Sequence, residues 1–370
     1  MIEINFTFKI LIYPFLYLKN YYKKFDKIIN MRILLKLQVK ILLIFIFISL
    51  ILNENVLAKK MKLFLNFTKI SIIMPIYNSE KFLSLSLNNI LSQSLKNIEI
   101  ICIDDGSSDG SLKILKNYKK VDNRLKIIHQ NNKGAGLARN EGIKISTGKF
   151  ISFIDPDDLY PNNLTLNIMY NKAIKNKAII IGGGLRYFIE ENEKINLLEN
   201  QNLTFKNEGT IKFHDYQYDF FYQRFMYNKK FLKKNKLFFP NYLRYEDPPF
   251  FIKTMALSKK FYAMKDFTYY YRVSNKTKIF NEEIVIDIYK GLKESLILSE
   301  KMHLYLLYCR VLENFNAEII VINAKKFINK KIICIINKIL NNINLDILKR
   351  QGCAFIKNDF YEKIKNNCSL

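Results

Sequence analysis

The chain has 370 residues, 49% of them hydrophobic, which excludes a disordered protein and allows one large domain or two modest ones. Its formal charge of +26 is carried by fifty Lys and only nine Arg, spread along an Ile- and Asn-rich chain. Such Lys read as solvated filler; a nucleic-acid surface, which clusters Arg with aromatics, is not expected, whereas an anionic membrane surface is compatible.

Five scattered Cys (Cys102, Cys309, Cys334, Cys353, Cys368) and three His form neither a CxxC pair nor a metal spacing. No disulfide framework and no zinc site are expected, and the Cys usage reads as a reduced or indifferent compartment.

In chain order, residues 1–66 are basic and hydrophobic, and Ile41–Leu52 is the most apolar run. It falls short of the roughly twenty residues a membrane-spanning helix needs. Basic Arg32, Lys36 and Lys40 precede it, and Val56-Leu57-Ala58 follows with small residues placed for cleavage. Read from Met31, this is a secretory signal or an uncleaved signal-anchor. Read from Met1, segment 1–30 is long for one, and a start at Met61 would leave a compact chain without the tail. The expectation is membrane association through a candidate signal or anchor at 41–58, with the topology open.

From residue 67 short apolar runs alternate with helical periods. Strands are predicted over Lys69–Ile76, Ile98–Ile103, Leu125–His129 and Lys149–Ile154, and helices over 80–94, 110–118 and 137–146. Asn78 or Ser79 is placed to cap the first helix. Strands alternating with helices of this length specify an α/β fold, with a mostly parallel sheet covered by helices on both faces. The domain runs to about residue 275. Residues 276–370 form a Lys-rich helical extension, with amphipathic segments such as 283–300 and 315–340 that pack on the domain or rest on a membrane.

In open α/β sheets ligands bind beyond the carboxyl ends of strands, and two acidic clusters sit there. Asp155-Pro156-Asp157-Asp158 can send one carboxylate to a ribose and another to a hard divalent cation, which takes oxygen ligands and completes its shell from a diphosphate. Asp104-Asp105-Gly106-Ser107 offers an acceptor-only carboxylate to the N–H of a base. Both clusters would also serve as ordinary turns and caps. The Gly-rich loop Asn131–Asn140 opens a helix that can hold an anion on its backbone amides, and Arg139 brings a fork suited to phosphate or carboxylate. In Tyr245-Glu246-Asp247-Pro248, one carboxylate at a helix start can deprotonate an acceptor hydroxyl.

Ile73–Asn78, Ile103–Ser107, Gly134–Asn140, Gly148–Asp158 and Tyr245–Asp247, in this order and spacing, resemble the family 2 glycosyltransferases of the GT-A fold, over about residues 69–273. Within the family, Gln223–Asn228 through Tyr269–Arg272 looks like enzymes that decorate lipopolysaccharide, capsule or other surface glycans. The resemblance implies a hexosyl- or N-acetylhexosaminyltransferase that uses a nucleotide-diphospho-sugar, commonly UDP-linked, and inverts the anomeric carbon. The acceptor would be a glycan or glycolipid. By carry-over Pro75, Tyr77 and Glu80 frame the nucleotide pocket, Asp105 meets the base, and Arg139 falls near the nucleotide. Asp155 touches the ribose, Asp157 binds Mn²⁺ or Mg²⁺, and Asp247 is the general base, with Glu246 capping the helix or steadying the loop. The chain has no Trp, so it lacks the Gln-x-x-Arg-Trp motif of processive members; nor does it show their multi-helix channel. The alternative is a non-catalytic relative that binds nucleotide or glycan as a scaffold.

Overall fold

The computed structural model of the chain describes residues 37, 39–44, 67–191, 194–273, 281–324 and 329–353. It divides into two compact units, 1–67 and 68–370. In the first, residues 39–44 are helical, and Ile41, Leu42, Leu43 and Ile44 are exposed. The rest of the apolar run and the cleavage stretch 56–58 lie outside the described residues. Among the described residues no helix is long and apolar enough to cross a membrane.

The second unit is built on one sheet. Its parallel part comprises β1 (Ile70–Ile76), β2 (Ile98–Asp104), β3 (Leu125–His129) and β4 (Phe150–Phe153), in the order β3-β2-β1-β4. Every residue of β1, β2 and β4 is buried, which is why these strands read as continuous apolar runs. Pro75 is tolerated in central β1 because pairing with β4 stops at Ile73. Connections run through α1 (Glu80–Leu91), α2 (Ser111–Val121) and α3 (Ala135–Ile145), each within a few residues of its predicted span.

Beyond β4 the sheet turns mixed. After α4 (Thr165–Lys175), β5 (Ile180–Glu191) and β6 (Lys194–Leu203) form an antiparallel pair. β7 (Gly209–Lys212) and β9 (Lys260–Arg272) close the far side, and β8 (Phe225–Asn228) lies antiparallel between β4 and β5. Short helices α5 (Phe213–Tyr216) and α6 (Lys229–Lys234) and the longer α7 (Asp247–Ser258) connect them.

The two faces bury separate cores. Ile72, Met74 and Ile76 of β1 pack with Leu83, Leu87 and Leu115 of α1 and α2 on one side. Ile73, Ile101 and Phe153 face Ala138 of α3, Phe250 and Phe251 of α7, and the C-terminal helices on the other. Those helices are α8 (Glu282–Lys301), α9 (Tyr305–Ala324), α10 (Lys330–Leu340) and α11 (Leu345–Gln351). The single amphipathic segment expected over 315–340 is therefore the end of one helix and the whole of the next. Asn329 starts α10 afresh, its side chain accepting from the Ile332 amide at 3.0 Å. Against the sequence expectation, Cys309 of α9 and Cys353 after α11 are joined in a disulfide, with Cα atoms 5.6 Å apart. Forty-four residues separate them, and only the folding back of α11 brings them together.

Candidate active site

Parallel β1, β2 and β4 end at one edge of the sheet, so the loops that leave them are neighbours. The turn after β1 is stitched to the turn after β2. The Asn78 amide donates to Ser107 Oγ at 3.1 Å, Asn78 Oδ1 accepts from the Ser108 amide at 2.8 Å, and the Ser79 amide donates to Ser111 Oγ at 2.9 Å. Glu80 Oε2 accepts from the Gly110 amide at 2.8 Å. A Cβ at Gly110 would lie 2.3 Å from that carboxylate, so a larger residue would push the Glu80 side chain aside. Pro75 is buried at the end of β1, while the Tyr77 ring stands 53% exposed beside these turns.

The acidic pair after β2 divides its work. Asp104 turns to His129, 2.6 Å from Nδ1. Asp105 is buried and accepts from Gln130 Nε2 at 2.7 Å and from the amides of Lys133 and Gly134 at 3.0 and 2.8 Å. It therefore shapes the Gly-rich loop, a task the sequence did not suggest, and keeps lone-pair capacity for one further donor. Gly134, with φ 89°, takes the left-handed turn into α3.

Arg139, in the second turn of α3, is the centre of the charge network. It is 5% exposed and forks between Asp155 Oδ1 and Glu246 Oε1, each at 2.8 Å. Its guanidinium lies 5.3 Å from the Tyr222 ring centroid and 5.4 Å from that of Phe239. Asp155 Oδ2 accepts in turn from Gln223 Nε2 at 3.2 Å. Glu246 makes no cap bond to α7; its carboxylate steadies the loop through Arg139 instead. Gly136 makes room for it, since a Cβ there would meet Glu246 Cγ at 2.9 Å.

Asp247 opens α7. Burial, then the neighbouring Glu246 charge, pushes its carboxyl up to about 7 against the pull of Arg139. A base with such a value is half deprotonated near neutral pH and strong enough to take a hydroxyl proton.

Asp158, the last carboxylate of its cluster, is structural. It is buried, accepting from Tyr269 Oη at 2.6 Å and from the Arg272 amide at 2.8 Å, and so ties β9 to the end of β4. Burial, with Asp157 and Asp155 close by, raises its pKa well above the usual carboxylate range. Asp157 is half-buried, and its backbone carbonyl accepts from Arg272 Nε at 2.7 Å. No group of three or more His, Cys, Asp or Glu among the described residues could hold a metal alone. The donors present, Asp157 beside Asp155, fit a hard cation that draws its other oxygens from a diphosphate and water.

Arg139, Asp155 and Asp247 all line one cleft of about 500 Å³. Gln223 and the rings of Phe220 and Tyr245 join them, and α9 contributes Asn314 and Glu318. The sequence reading missed Phe220, Asn314 and Glu318, since neither a lone Phe nor a polar residue on a largely apolar helix carries a signal of its own.

Residues 71–236 match the family described as Glycosyl transferase family 2. Glycosyltransferase GlyG of Streptococcus pneumoniae serotype 4 is 32% identical over 214 residues, 55% of this chain and 70% of that protein. The chain belongs to the family 2 glycosyltransferases. It is also similar to glycosyltransferase EpsJ of Bacillus subtilis, 31% identical over 55% of this chain and 60% of that one. The poly(ribitol-phosphate) beta-glucosyltransferase of Bacillus spizizenii is 33% identical over 55% of this chain, but only 32% of that longer protein is spanned. Among solved structures, S. aureus TarS 1–349 in complex with UDP-GlcNAc superposes with a TM-score of 0.63 at 19% identity, over 81% of this glycosyltransferase and 88% of that 1–349 chain. That likeness confirms the GT-A type fold.

Proposed function

We propose that this glycosyltransferase is an inverting, non-processive enzyme that moves a hexosyl or N-acetylhexosaminyl group from a UDP-sugar to a hydroxyl of a glycan or glycolipid. The observation that carries the reading is the position of Asp247, which shares one cleft with Asp155 and has its carboxyl pushed up to about 7. Inversion by direct displacement needs a base opposite the leaving diphosphate, within reach of the attacking hydroxyl. Asp247 takes that proton. Pro75, Tyr77, Glu80 and Asp105 frame the nucleotide, and Asp155 meets the ribose in the presence of Arg139. Asp157 would hold Mg²⁺ or Mn²⁺, which when bound offsets charge on the departing diphosphate. The TarS neighbour binds UDP-GlcNAc, which makes that donor the first to try. The absence of Trp supports single transfer over polymerisation, and the apolar run 41–52 supports attachment to a membrane.

A donor screen tests the reading. Nucleotide release should occur with one UDP-sugar in Mn²⁺ or Mg²⁺ and cease with chelator. Release that persists in Asp247→Asn at the wild-type rate, in the presence of acceptor, would remove Asp247 from the chemistry.

A further inference from the structure

Tyr245 directly precedes the two carboxylates and lies beyond residues 71–236, the stretch matched to the family. Its backbone is left-handed, φ 67°, a conformation that a bulky residue keeps only where its surroundings impose it. Helix α8 imposes it. A Cβ at Gly291 would lie 2.5 Å from the Tyr245 carbonyl oxygen and 3.0 Å from its ring. One turn earlier, Asp287 accepts from the Leu243 amide at 2.9 Å; one turn later, Glu294 accepts from the Tyr242 hydroxyl at 2.8 Å. Residues 287, 291 and 294 share one face of the helix, so α8 is a mould for residues 242–245.

The mould sets the Tyr245 ring edge to face on Phe220, with centroids 6.0 Å apart, in the wall of the cleft. Its buried hydroxyl donates to none of the described residues, and Asn314 beside it acts only as a donor toward its oxygen. Asp219, Asp247 and Glu318 surround it with carboxylates. A buried O–H left without an acceptor is costly, and a strained residue that holds one in the wall of a cleft is poised for a ligand. The chemistry of the wall says which ligand. Arg244 also lines the cleft, but the groups around this hydroxyl are carboxylates, which accept from hydroxyls, and the rings of Phe220, Phe221 and Tyr271 suit the apolar face of a sugar.

We propose that Tyr245 binds the acceptor, donating its hydroxyl to an uncharged hexose ring and so holding the neighbouring hydroxyl at Asp247. The proposal rests on the reading of Asp247 as the base. Tyr245→Phe removes one oxygen while keeping the ring, its contact with Phe220 and the backbone turn. Methyl hexosides are titrated into protein loaded with UDP and Mg²⁺, with binding followed by saturation-transfer NMR.

At least one hexoside should bind, and Tyr245→Phe should weaken it about three- to tenfold, the loss of one neutral hydrogen bond. UDP affinity should not change, and the melting temperature should hold or rise, because an unsatisfied hydroxyl has gone. Gly291→Ala, which evicts the whole residue, should weaken the hexoside at least as much. Equal hexoside affinity in wild type and Tyr245→Phe overturns the proposal, as does tighter binding of a polyol phosphate, or no hexoside binding by wild type that holds UDP. Failure of wild type to bind UDP overturns the reading of the site itself.

Discussion

Arg139→Met removes the charge that holds Asp155 and Glu246 together. The guanidinium bonds Asp155 and Glu246 at 2.8 Å each, with the three side chains 7, 21 and 11% exposed. Removing one member of a buried ion pair costs about 3–5 kcal/mol, because the partner stays behind uncompensated. Asp155 retains some access to water, which places the cost at the lower end, about 3 kcal/mol. Met fills part of the volume over Tyr222 and Phe239, which limits the packing loss. At roughly 2–4 °C per kcal/mol for a domain of this size, the melting temperature should fall by about 6–12 °C. A second readout follows from Asp247. Arg139 draws down the carboxyl that burial and Glu246 push up to about 7, so without Arg139 it rises further. The base works deprotonated; wild-type kcat/KM therefore falls as pH drops through about 7, and in Arg139→Met that limb moves to higher pH. Calorimetry and a pH profile of kcat/KM measure both effects. A melting point within about 2 °C of wild type, with the acid limb unmoved, would refute the assignment of Arg139 as the clamp.

Asp247→Asn keeps the shape but cannot take a proton, so turnover should fall about 10²-fold or more with nucleotide affinity unchanged by calorimetry. Glu246→Gln should do less to turnover and shift the acid limb to lower pH, and the opposite ranking would exchange their roles. Asp157→Ala should remove nearly all metal-dependent turnover, and full activity of the native enzyme in excess chelator would end the metal assignment. Asp105→Ala frees the amides of Lys133 and Gly134 as well as an acceptor for the base, so nucleotide affinity should drop at least tenfold, the loss of one charged hydrogen bond; unchanged affinity in folded protein would refute it. Asp219 has an Oδ2 without a hydrogen-bond partner among the described residues, and burial pushes its carboxyl up to about 7. Folded chain thus binds this proton more tightly than unfolded chain, for which about 3.9 applies, and stability declines as pH rises from about 4 to 7. Asp219→Asn should accordingly melt higher than wild type at pH 8 and alike below about pH 4.

The parallel half of the sheet was legible because its determinants are local. β1, β2 and β4 are continuous apolar runs, and each ends in turn residues whose chemistry shows in the sequence, as Asp104-Asp105-Gly106 does. The carboxylates at those ends could be picked out one by one for the same reason: parallel neighbours must end at the same edge. Past residue 159 the signals thin, since β6, β7 and β9 are partly exposed and, apart from the β5–β6 hairpin, these strands pair with partners far along the chain. Antiparallel β8, set between β4 and β5, follows from no local pattern.

By itself, then, the sequence determined the α/β order, the site edge and the identity of its acids, because strand burial and turn chemistry act within a few residues. Only the tertiary structure decided how those acids are used. Arg139 and Glu246 are 107 residues apart and meet inside the core; Asp105 closes on a loop 28 residues later; and α8, legible only as an amphipathic helix, shapes the turn before Asp247. Each of these contacts is a pairing of distant groups forced together by burial, and an ion pair or a glycine cradle leaves no mark on either sequence segment until the other is packed against it.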